Sequence, residues 1–202
     1  MVKIDKFLVF LDRDGTINEE VDFLTKPDQL KLIPTASNAI KLLKNNGCII
    51  VIVTNQSVVA RNLCTEREVE QINKKLLDLL ASDGAVVDAI FYCPHHPEKN
   101  HSKAGSVYCT DCDCRKPKIG MLKAAATKFN IPPSRCFMVG DSTRDIRAGI
   151  SFGCTTFLVK TGYGGKDKKY GGKPDYVCDD LYAAARIIVG SVIPAKSRVV
   201  IS

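Results

Sequence analysis

A parallel α/β sheet covered by helices on both faces is the fold predicted for this chain. Two observations predict it: short, continuous apolar runs alternate with longer amphipathic stretches, and the residues just beyond three of those runs are unusually polar. The first strand is Phe7 to Leu11, an unbroken apolar run of the kind buried on both faces. A helix follows over Pro34 to Asn46, with Ile40, Leu42 and Leu43 at helical spacing and Gly47 to end it. Cys48 to Val53 is the second strand. Thr65 and Glu68 have the form of a capping box, opening a helix whose apolar positions Val69, Ile72, Leu76, Leu79 and Leu80 recur at three and four. Ala89 to Tyr92 reads as a short strand, Ile119 to Phe129 as a helix, and Pro132-Pro133 as a turn. The pattern continues with a strand at Cys136 to Val139, a helix at Thr143 to Phe152, strands at Thr155 to Val159 and Tyr176 to Cys178, and a closing helix at Leu181 to Val189. Such alternation implies right-handed crossovers. The segment from Thr161 to Pro174, with five glycines and four lysines, is expected to be a mobile surface loop, and the last dozen residues carry no assignment.

The chain's 202 residues suit a single domain, spanning 1–202 with a loop insertion at about 93–114. Hydrophobic residues at 45% and charged residues at 25% exclude wholesale disorder. The longest unbroken apolar run, Ile49 to Val53, is far short of the roughly 20 residues that span a bilayer. No membrane partner is expected. The apolar run Phe7 to Leu11 ends in Asp12, Arg13 and Asp14, which does not suit a secretory signal, so a cytoplasmic location is expected, as a monomer. A net charge of +7 favours anionic partners without saying which. Of nine cysteines, Cys48, Cys64, Cys136, Cys154 and Cys178 are scattered singly and read as small buried hydrophobes. The other four, Cys93, Cys109, Cys112 and Cys114, share 22 residues with all three histidines and point to a metal.

In open parallel sheets ligands sit beyond the carboxyl ends of the strands. Here those ends read Asp12-Arg13-Asp14-Gly15-Thr16, Thr54-Asn55-Gln56-Ser57 and Gly140-Asp141-Ser142-Thr143-Arg144-Asp145. Two carboxylates leaving a buried strand repel one another unless a cation neutralises them. Magnesium (Mg2+) fits, held by Asp12, Asp141 and a carbonyl near Asp14, with room left for a phosphate oxygen. Asp12 is then placed to attack phosphorus, and Asp14 to protonate the leaving alcohol and later take a proton from water. An EF-hand loop also begins Asp-x-Asp-Gly, but from Asp12 it would put Phe23 where the twelfth-position glutamate belongs.

These residues resemble the motifs of the haloacid dehalogenase superfamily of phosphohydrolases. Phe10 to Thr16 looks like the first motif, Val53-Thr54-Asn55 the second, Arg115-Lys116-Pro117 the third, and Gly140-Asp141 with Asp145 the fourth. The resemblance implies a Rossmann-like domain with Asp12 as nucleophile, Asp14 as general acid and base, Thr54 and Asn55 as phosphate ligands, Lys116 as charge stabiliser and substrate contact, and Asp141 as metal ligand. Lys116 also fits on chemical grounds, since phosphoryl transfer rests on positioning and on neutralising the transferred oxygens. Only seventeen residues separate Thr16 from Pro34, and ten separate Thr54 from Thr65, too few for a separate cap domain.

Cys93, His95, Cys112 and Cys114 form a Cys₃His set suited to tetrahedral zinc (Zn2+), with no ligand position left for a catalytic water. A zinc here would clip an otherwise long polar loop. Cys109-x-x-Cys112 is an alternative half-site, and His96 or His101 could replace His95. The stretch from Tyr92 to Pro97 and from Cys112 to Pro117 is similar to that of the D-glycero-D-manno-heptose 1,7-bisphosphate phosphatase family, which removes the 7-phosphate on the way to activated heptose for surface polysaccharide. By that resemblance the substrate is a small phosphorylated sugar, and Arg115 contacts its phosphate or sugar. Histidinol-phosphate phosphatases have a similar but usually shorter loop, whereas sixteen residues separate His95 from Cys112 here. Two positions depart from the heptose pattern: Val58 where glycine is usual, and Ser142 where lysine is usual. A phosphatase of nucleic-acid ends, and a non-enzymatic zinc module that binds nucleic acid, are the remaining alternatives. The module is disfavoured, because the Cys/His spacing lacks the paired histidines of a groove-reading finger and the lysines at 166, 168, 169 and 173 read as a solvated face.

Overall fold

Six parallel strands form one sheet in the order β3-β2-β1-β4-β5-β6 in a computed structural model that describes residues 6–98 and 106–192. The strands are β1 (Leu8–Leu11), β2 (Ile49–Asn55), β3 (Ala89–Cys93), β4 (Cys136–Gly140), β5 (Thr155–Val159) and β6 (Tyr176–Cys178). The helices are α1 (Ala36–Asn45), α2 (Glu66–Ser82), α3 (Gly120–Phe129), α4 (Thr143–Phe152) and α5 (Leu181–Val192). Every element expected from the apolar pattern is present. The main difference is β2, which runs two residues past the apolar run to include Thr54 and Asn55, because β3 pairs with it as far as Cys93. None of the described helices is long and apolar enough to cross a membrane.

The side chains of β1 alternate between two cores, as the period of a strand requires. Val9 and Leu11 pack with Ile40 and Leu43 of α1, Ile72 and Leu76 of α2, and Leu181 and Ile188 of α5. Leu8 and Phe10 face the other way, onto Met121, Leu122 and Ala125 of α3 and Ala148 of α4. At about 1.5–3 kcal/mol for each fully buried large aliphatic side chain, this two-sided burial explains why the strand carries no polar residue until it leaves the sheet. The five single cysteines are all buried, as expected of small hydrophobes. The capping box of α2 is formed, with Glu68 N–H donating to Thr65 Oγ1 at 3.2 Å and Thr65 N–H to Glu68 Oε2 at 2.7 Å.

Register brings the three polar strand ends within one residue of one another. Leu11 lies opposite Ile52 on one side and Val139 on the other, so Asp12 stands level with Val53 and Gly140, one residue short of Thr54 and Asp141. The main chain of Asp12 is pinned there by its N–H, which donates to Val139 O at 2.9 Å. The order reverses direction at β1, where the chain goes to β2 on one side and β4 on the other, which is where open α/β sheets bind ligands.

The Gly-rich segment after β5 differs from expectation. It does not stand away from the molecule but is tied over the ends of β1 and β4. Thr161 Oγ1 donates to Gly15 O at 2.6 Å, Tyr163 N–H to Asp141 Oδ2 at 2.7 Å, Gly165 N–H to Asp141 O at 2.8 Å, and Thr143 N–H to Asp167 Oδ1 at 2.9 Å. Its glycines serve close approach rather than freedom alone. A β-carbon on Gly15 or Gly162 would collide with the Asp141 carboxylate, and both residues hold positive φ, at 75° and 57°. The final residues left unassigned from the sequence fall, beyond Val192, outside the described residues.

Candidate active site

A cavity of about 280 Å³ opens at the carboxyl ends of β1, β2 and β4, lined by Asp12, Asp14, Thr54, Asn55 and Arg115 among others. At its base, Lys116 is fully buried and its ammonium is shared three ways: 2.9 Å from Asp12 Oδ1, 2.6 Å from Asp145 Oδ1, and donating to Val53 O at 2.6 Å. Burial alone would depress the Lys116 ammonium, but Asp12 and Asp145 outweigh it and hold it above its ordinary value, so it stays charged. Asp12 Oδ1 also accepts the Arg13 N–H at 2.7 Å, while no hydrogen bond reaches Oδ2 among the described residues. One oxygen of the carboxylate is therefore fixed, and the other is free to meet an electrophile.

The backbone of Lys116 is clasped by Asn55, whose Oδ1 accepts the Lys116 N–H at 3.0 Å and whose Nδ2 donates to Lys116 O at 2.9 Å. The Asn55 side chain is committed to the lysine, and what this residue can offer a phosphate is main chain. Thr54, almost wholly buried, accepts Gln56 Nε2 at 2.8 Å, and the same nitrogen reaches Asp14 Oδ2 at 2.9 Å. Asp14 lines the cavity as expected but is fully engaged. Arg13 donates to both its oxygens, at 3.1 and 2.9 Å, and Asn18 Nδ2 donates to Oδ1 at 2.9 Å. Burial would raise this carboxyl, but the Arg13 guanidinium and the hydrogen bonds more than offset it and hold Asp14 below the ordinary range.

Asp12, Asp141 and Asp145 bring carboxylate oxygens within 4.8 Å of one another. Asp145 is spoken for by Lys116 and by Ser142, whose hydroxyl donates to it at 2.5 Å. Although burial opposes ionisation, Lys116 and Arg144 keep Asp145 below the ordinary value. Asp12 and Asp141 behave oppositely. Burial first, then repulsion from Asp145, pushes Asp12 up to about 7, while burial and then repulsion from Asp12 and Asp145 push Asp141 up to about 8. Two buried carboxylates with a deficit of positive charge are what a hard divalent cation relieves, and the all-oxygen donor set fits one. Asp145, Gln56, Asn18 and Arg13 complete the site. Asp145 was visible in its motif and Gln56 beside the strand end, whereas nothing in the spacing marked Arg13 as buried.

A second cluster joins Cys93 at the end of β3 to His95, Cys112 and Cys114, the four expected ligands. Their sulfurs lie 3.5 Å (93–112), 3.2 Å (93–114) and 3.1 Å (112–114) apart, and His95 Nδ1 is 3.4 Å from Cys114 Sγ. A tetrahedron with zinc–sulfur bonds of about 2.3 Å has sulfur–sulfur edges of about 3.8 Å, somewhat longer than these. The three thiols are unpaired by disulfides, and the donor set fits zinc. Of the alternatives, Cys109 is not in the cluster, and His96 instead turns Nδ1 to the Glu98 N–H at 3.2 Å. His101 lies outside the described residues. The cluster sits next to the reaction cavity: Arg115, one residue beyond Cys114, donates from Nη1 to His95 O at 3.0 Å. On its outer side, Tyr108 and Tyr92 donate to the two oxygens of Glu66, at 2.6 and 2.7 Å, fastening the loop to the start of α2.

Val58 lines the cavity, and both it and Ser142 also serve the local structure. Val58 is buried with Val59, Cys64 and Val69, and Ser142 caps α4 through Asp145, with its N–H 3.2 Å from Asp145 Oδ2.

Comparison with known proteins places the chain. The HAD-hydrolase-like family model matches residues 113–184. A D-glycero-beta-D-manno-heptose-1,7-bisphosphate 7-phosphatase of Pasteurella multocida is 43% identical over 158 residues, 78% of this chain and 83% of its own. A D-glycero-D-manno-heptose-1,7-bisphosphate 7-phosphatase of Thermosynechococcus vestitus is 37% identical over 193 residues, 92% of this chain and 97% of its own. The crystal structure of D,D-heptose 1,7-bisphosphate phosphatase from B. bronchiseptica, complexed with magnesium and phosphate, superimposes with a TM-score of 0.80 at 37% identity, covering 92% of this chain and 99% of that one.

Proposed function

The chain belongs to the heptose-1,7-bisphosphate 7-phosphatase family of HAD-like hydrolases, and from that premise we propose that it removes the 7-phosphate of D-glycero-D-manno-heptose 1,7-bisphosphate by way of a phosphoryl group carried on Asp12. It is a phosphoric monoester hydrolase. The observation that carries the mechanism is the Asp12–Lys116 pair at the base of a cavity fed by three strand ends.

In the first step the free oxygen of Asp12 forms a bond to phosphorus as the bond from phosphorus to the sugar oxygen breaks. Asp14 gives its proton to that oxygen, and the heptose leaves as an alcohol. In the second step Asp14, now a base, takes a proton from water, the water oxygen bonds to phosphorus, and the link to Asp12 breaks to release inorganic phosphate. Lys116 stays protonated throughout and faces the charge that builds on Asp12 and the transferred oxygens. Thr54 and the main chain at Asn55 line the phosphate's position, and Arg115 lies on the substrate side. A magnesium ion on Asp12, Asp141 and the Asp14 carbonyl would supply further neutralisation of the phosphoryl oxygens. Zinc on Cys93, His95, Cys112 and Cys114 would hold the loop that presents Arg115 and Lys116.

The test is a side-by-side turnover measurement with magnesium on heptose 1,7-bisphosphate, histidinol phosphate and a 3′-phosphorylated oligonucleotide. The heptose should be hydrolysed fastest, and a faster rate on either rival would overturn the substrate assignment. Asp12→Asn should abolish turnover with fold and zinc content intact. Near-normal activity would falsify the nucleophile assignment.

A further inference from the structure

We propose that Asn73 is a positioning residue of the phosphatase reaction: by fixing the Arg13 guanidinium it holds the Asp14 carboxyl where it can protonate the leaving oxygen. This role rests on the phosphatase reading above and adds a residue, outside the cavity lining, on which its acid step depends. Asn73 lies midway along α2, on the buried stripe of Val69, Ile72, Leu76 and Leu80, and is the polar member of that stripe. A buried amide costs stability unless hydrogen bonds satisfy it, and a leucine at this position would pack as its neighbours do. What the amide does here is reach the active site: its Oδ1 accepts Arg13 Nη1 at 3.0 Å.

Arg13 is fully buried, and its side chain joins α2 to Asp14. Nε donates to Asp14 Oδ1 at 3.1 Å and Nη2 to Asp14 Oδ2 at 2.9 Å, a fork that grips both carboxylate oxygens. The fork alone does not fix where the carboxylate points. Arg13 and Asp14 are neighbours on one short turn, closed by Ile17 N–H donating to Arg13 O at 2.8 Å and Gly15 N–H to Asn18 O at 2.8 Å. Asn18, whose Nδ2 donates to Asp14 Oδ1, belongs to the same turn. Two adjacent side chains can swing together without breaking the bonds between them. Among the described residues, the hydrogen bonds that reach this side-chain pair from outside the turn come from Gln56 and Asn73. Gln56 Nε2 donates to Asp14 Oδ2 at 2.9 Å from beyond the end of β2, and Asn73 takes the remaining end of the guanidinium from α2. Because a guanidinium is planar and rigid, an acceptor on Nη1 fixes the plane in which Nε and Nη2 meet the carboxylate. The nucleophile is held separately, by the Arg13 main-chain N–H on Asp12 Oδ1 at 2.7 Å. Loss of the Asn73 acceptor therefore loosens Asp14 and leaves Asp12 aimed.

The effect falls on one bond. A sugar alcohol leaves phosphorus only as a proton reaches its oxygen, which requires the acid within hydrogen-bond reach of that atom. p-Nitrophenolate is stable as an anion and leaves without the proton. Attack by Asp12 and neutralisation by Lys116 serve both esters alike, so a displaced Asp14 penalises the sugar ester and spares the aryl ester.

The experiment measures kcat/KM, which reports the steps up to phosphoryl transfer onto Asp12, with magnesium on heptose 1,7-bisphosphate and on p-nitrophenyl phosphate. The proteins are the wild type, Asn73→Leu, Asn73→Ala, Asn73→Asp and Asp14→Asn. Asn73→Leu should lower the value for the heptose by about tenfold to a hundredfold and that for the aryl ester by less than about threefold, the scale of a misplaced general acid. Asn73→Ala should shift the ratio in the same direction and decides the question should the leucine variant fail to fold. Asn73→Asp keeps an oxygen acceptor at the same reach and should restore most of the heptose activity. Asp14→Asn should show the same selective loss, larger in size. A general distortion of the fold lowers both esters together. A wild-type ratio in Asn73→Leu and Asn73→Ala, beside a selective loss in Asp14→Asn, overturns the proposal and leaves the phosphatase reading in place. Equal losses on both esters in Asp14→Asn take the acid role from Asp14, and this role of Asn73 with it. A wild type that does not hydrolyse the heptose overturns the substrate assignment alone, and the same ratio is then read on fructose 6-phosphate.

Discussion

Asp14 poses the sharpest question at the scale of single residues, because the general acid role proposed for it requires a proton, while Arg13, Asn18 and Gln56 hold it as a carboxylate. Substrate arrival changes its surroundings: a phosphate dianion beside it favours the protonated form, and release from even one donor removes a stabilising partner of the charge. The clamp thus keeps Asp14 ionised at rest and ready to act as a base in the second step. Asp14→Asn keeps the side chain's shape but removes both proton transfers, so kcat should fall by about 10²–10⁴. Because water attack also loses its base, the phosphoryl group should persist on Asp12. Rapid quenching and intact mass measurement checks this: a kcat within tenfold of wild type would remove Asp14 from the proton path. The carboxylates themselves were legible in the sequence, since Asp12, Asp14 and Asp141 break sharply from apolar runs. The clamp was not. Arg13 is buried with Nη1 donating to Asn73 Oδ1 at 3.0 Å, a contact sixty residues away in sequence, and Asn73 sits between Ile72 and Leu76 on a helix face that reads as apolar.

Among the elements, the strands and helices were readable because each carries a period of its own, and the segments between them were readable only where chemistry is local. The four residues of the Cys₃His cluster lie in two short pairs, and the structure brings those pairs together. The Gly-rich segment misled because glycine and lysine together describe solvent, while its order comes from Gly15, Asp141 and Thr143, partners that spacing cannot reveal. The loop that carries the Cys₃His cluster also has a reach beyond its own stability. Cys114 is followed directly by Arg115 and Lys116, and Lys116 is the buried cation paired with Asp12. Cys114→Ser should therefore release zinc and cost activity together, through misplacement of a lysine that the mutation does not touch. Zinc by elemental analysis, thermal unfolding and kcat measured on one preparation checks the link. Loss of zinc with unchanged kcat would show that Asn55 and Asp145 hold Lys116 without help.

For the molecule as a whole, the buried carboxylates make stability depend on pH in a way that the bound cation should reverse. Asp12 and Asp141 have an ordinary value of 3.8 and are pushed by burial and repulsion to about 7 and about 8 in the folded chain. Below about pH 4 both are protonated in either state and contribute nothing. Between there and pH 8 the unfolded chain has lost both protons while the folded one keeps them, so the folded state binds more protons and stability falls as pH rises. Glu20, also raised by burial, adds in the same direction. Asp14 and Asp145 are held low, so their stabilisation is already present across this window and is lost only in stronger acid. Lys116 is held high and loses its contribution only at alkaline pH. Magnesium requires the ionised carboxylates, so its apparent affinity should rise over the same interval. Zinc-loaded, magnesium-free protein should thus melt at lower temperature at pH 8.5 than at pH 5.5, and saturating magnesium should flatten or invert the trend. Asp141→Asn should show a shallower dependence without magnesium and little response to it. A magnesium-free melting temperature that stays level across this range would mean that the carboxylates at the strand ends are already neutralised by Lys116 and Arg144, and that the site needs no second cation to exist.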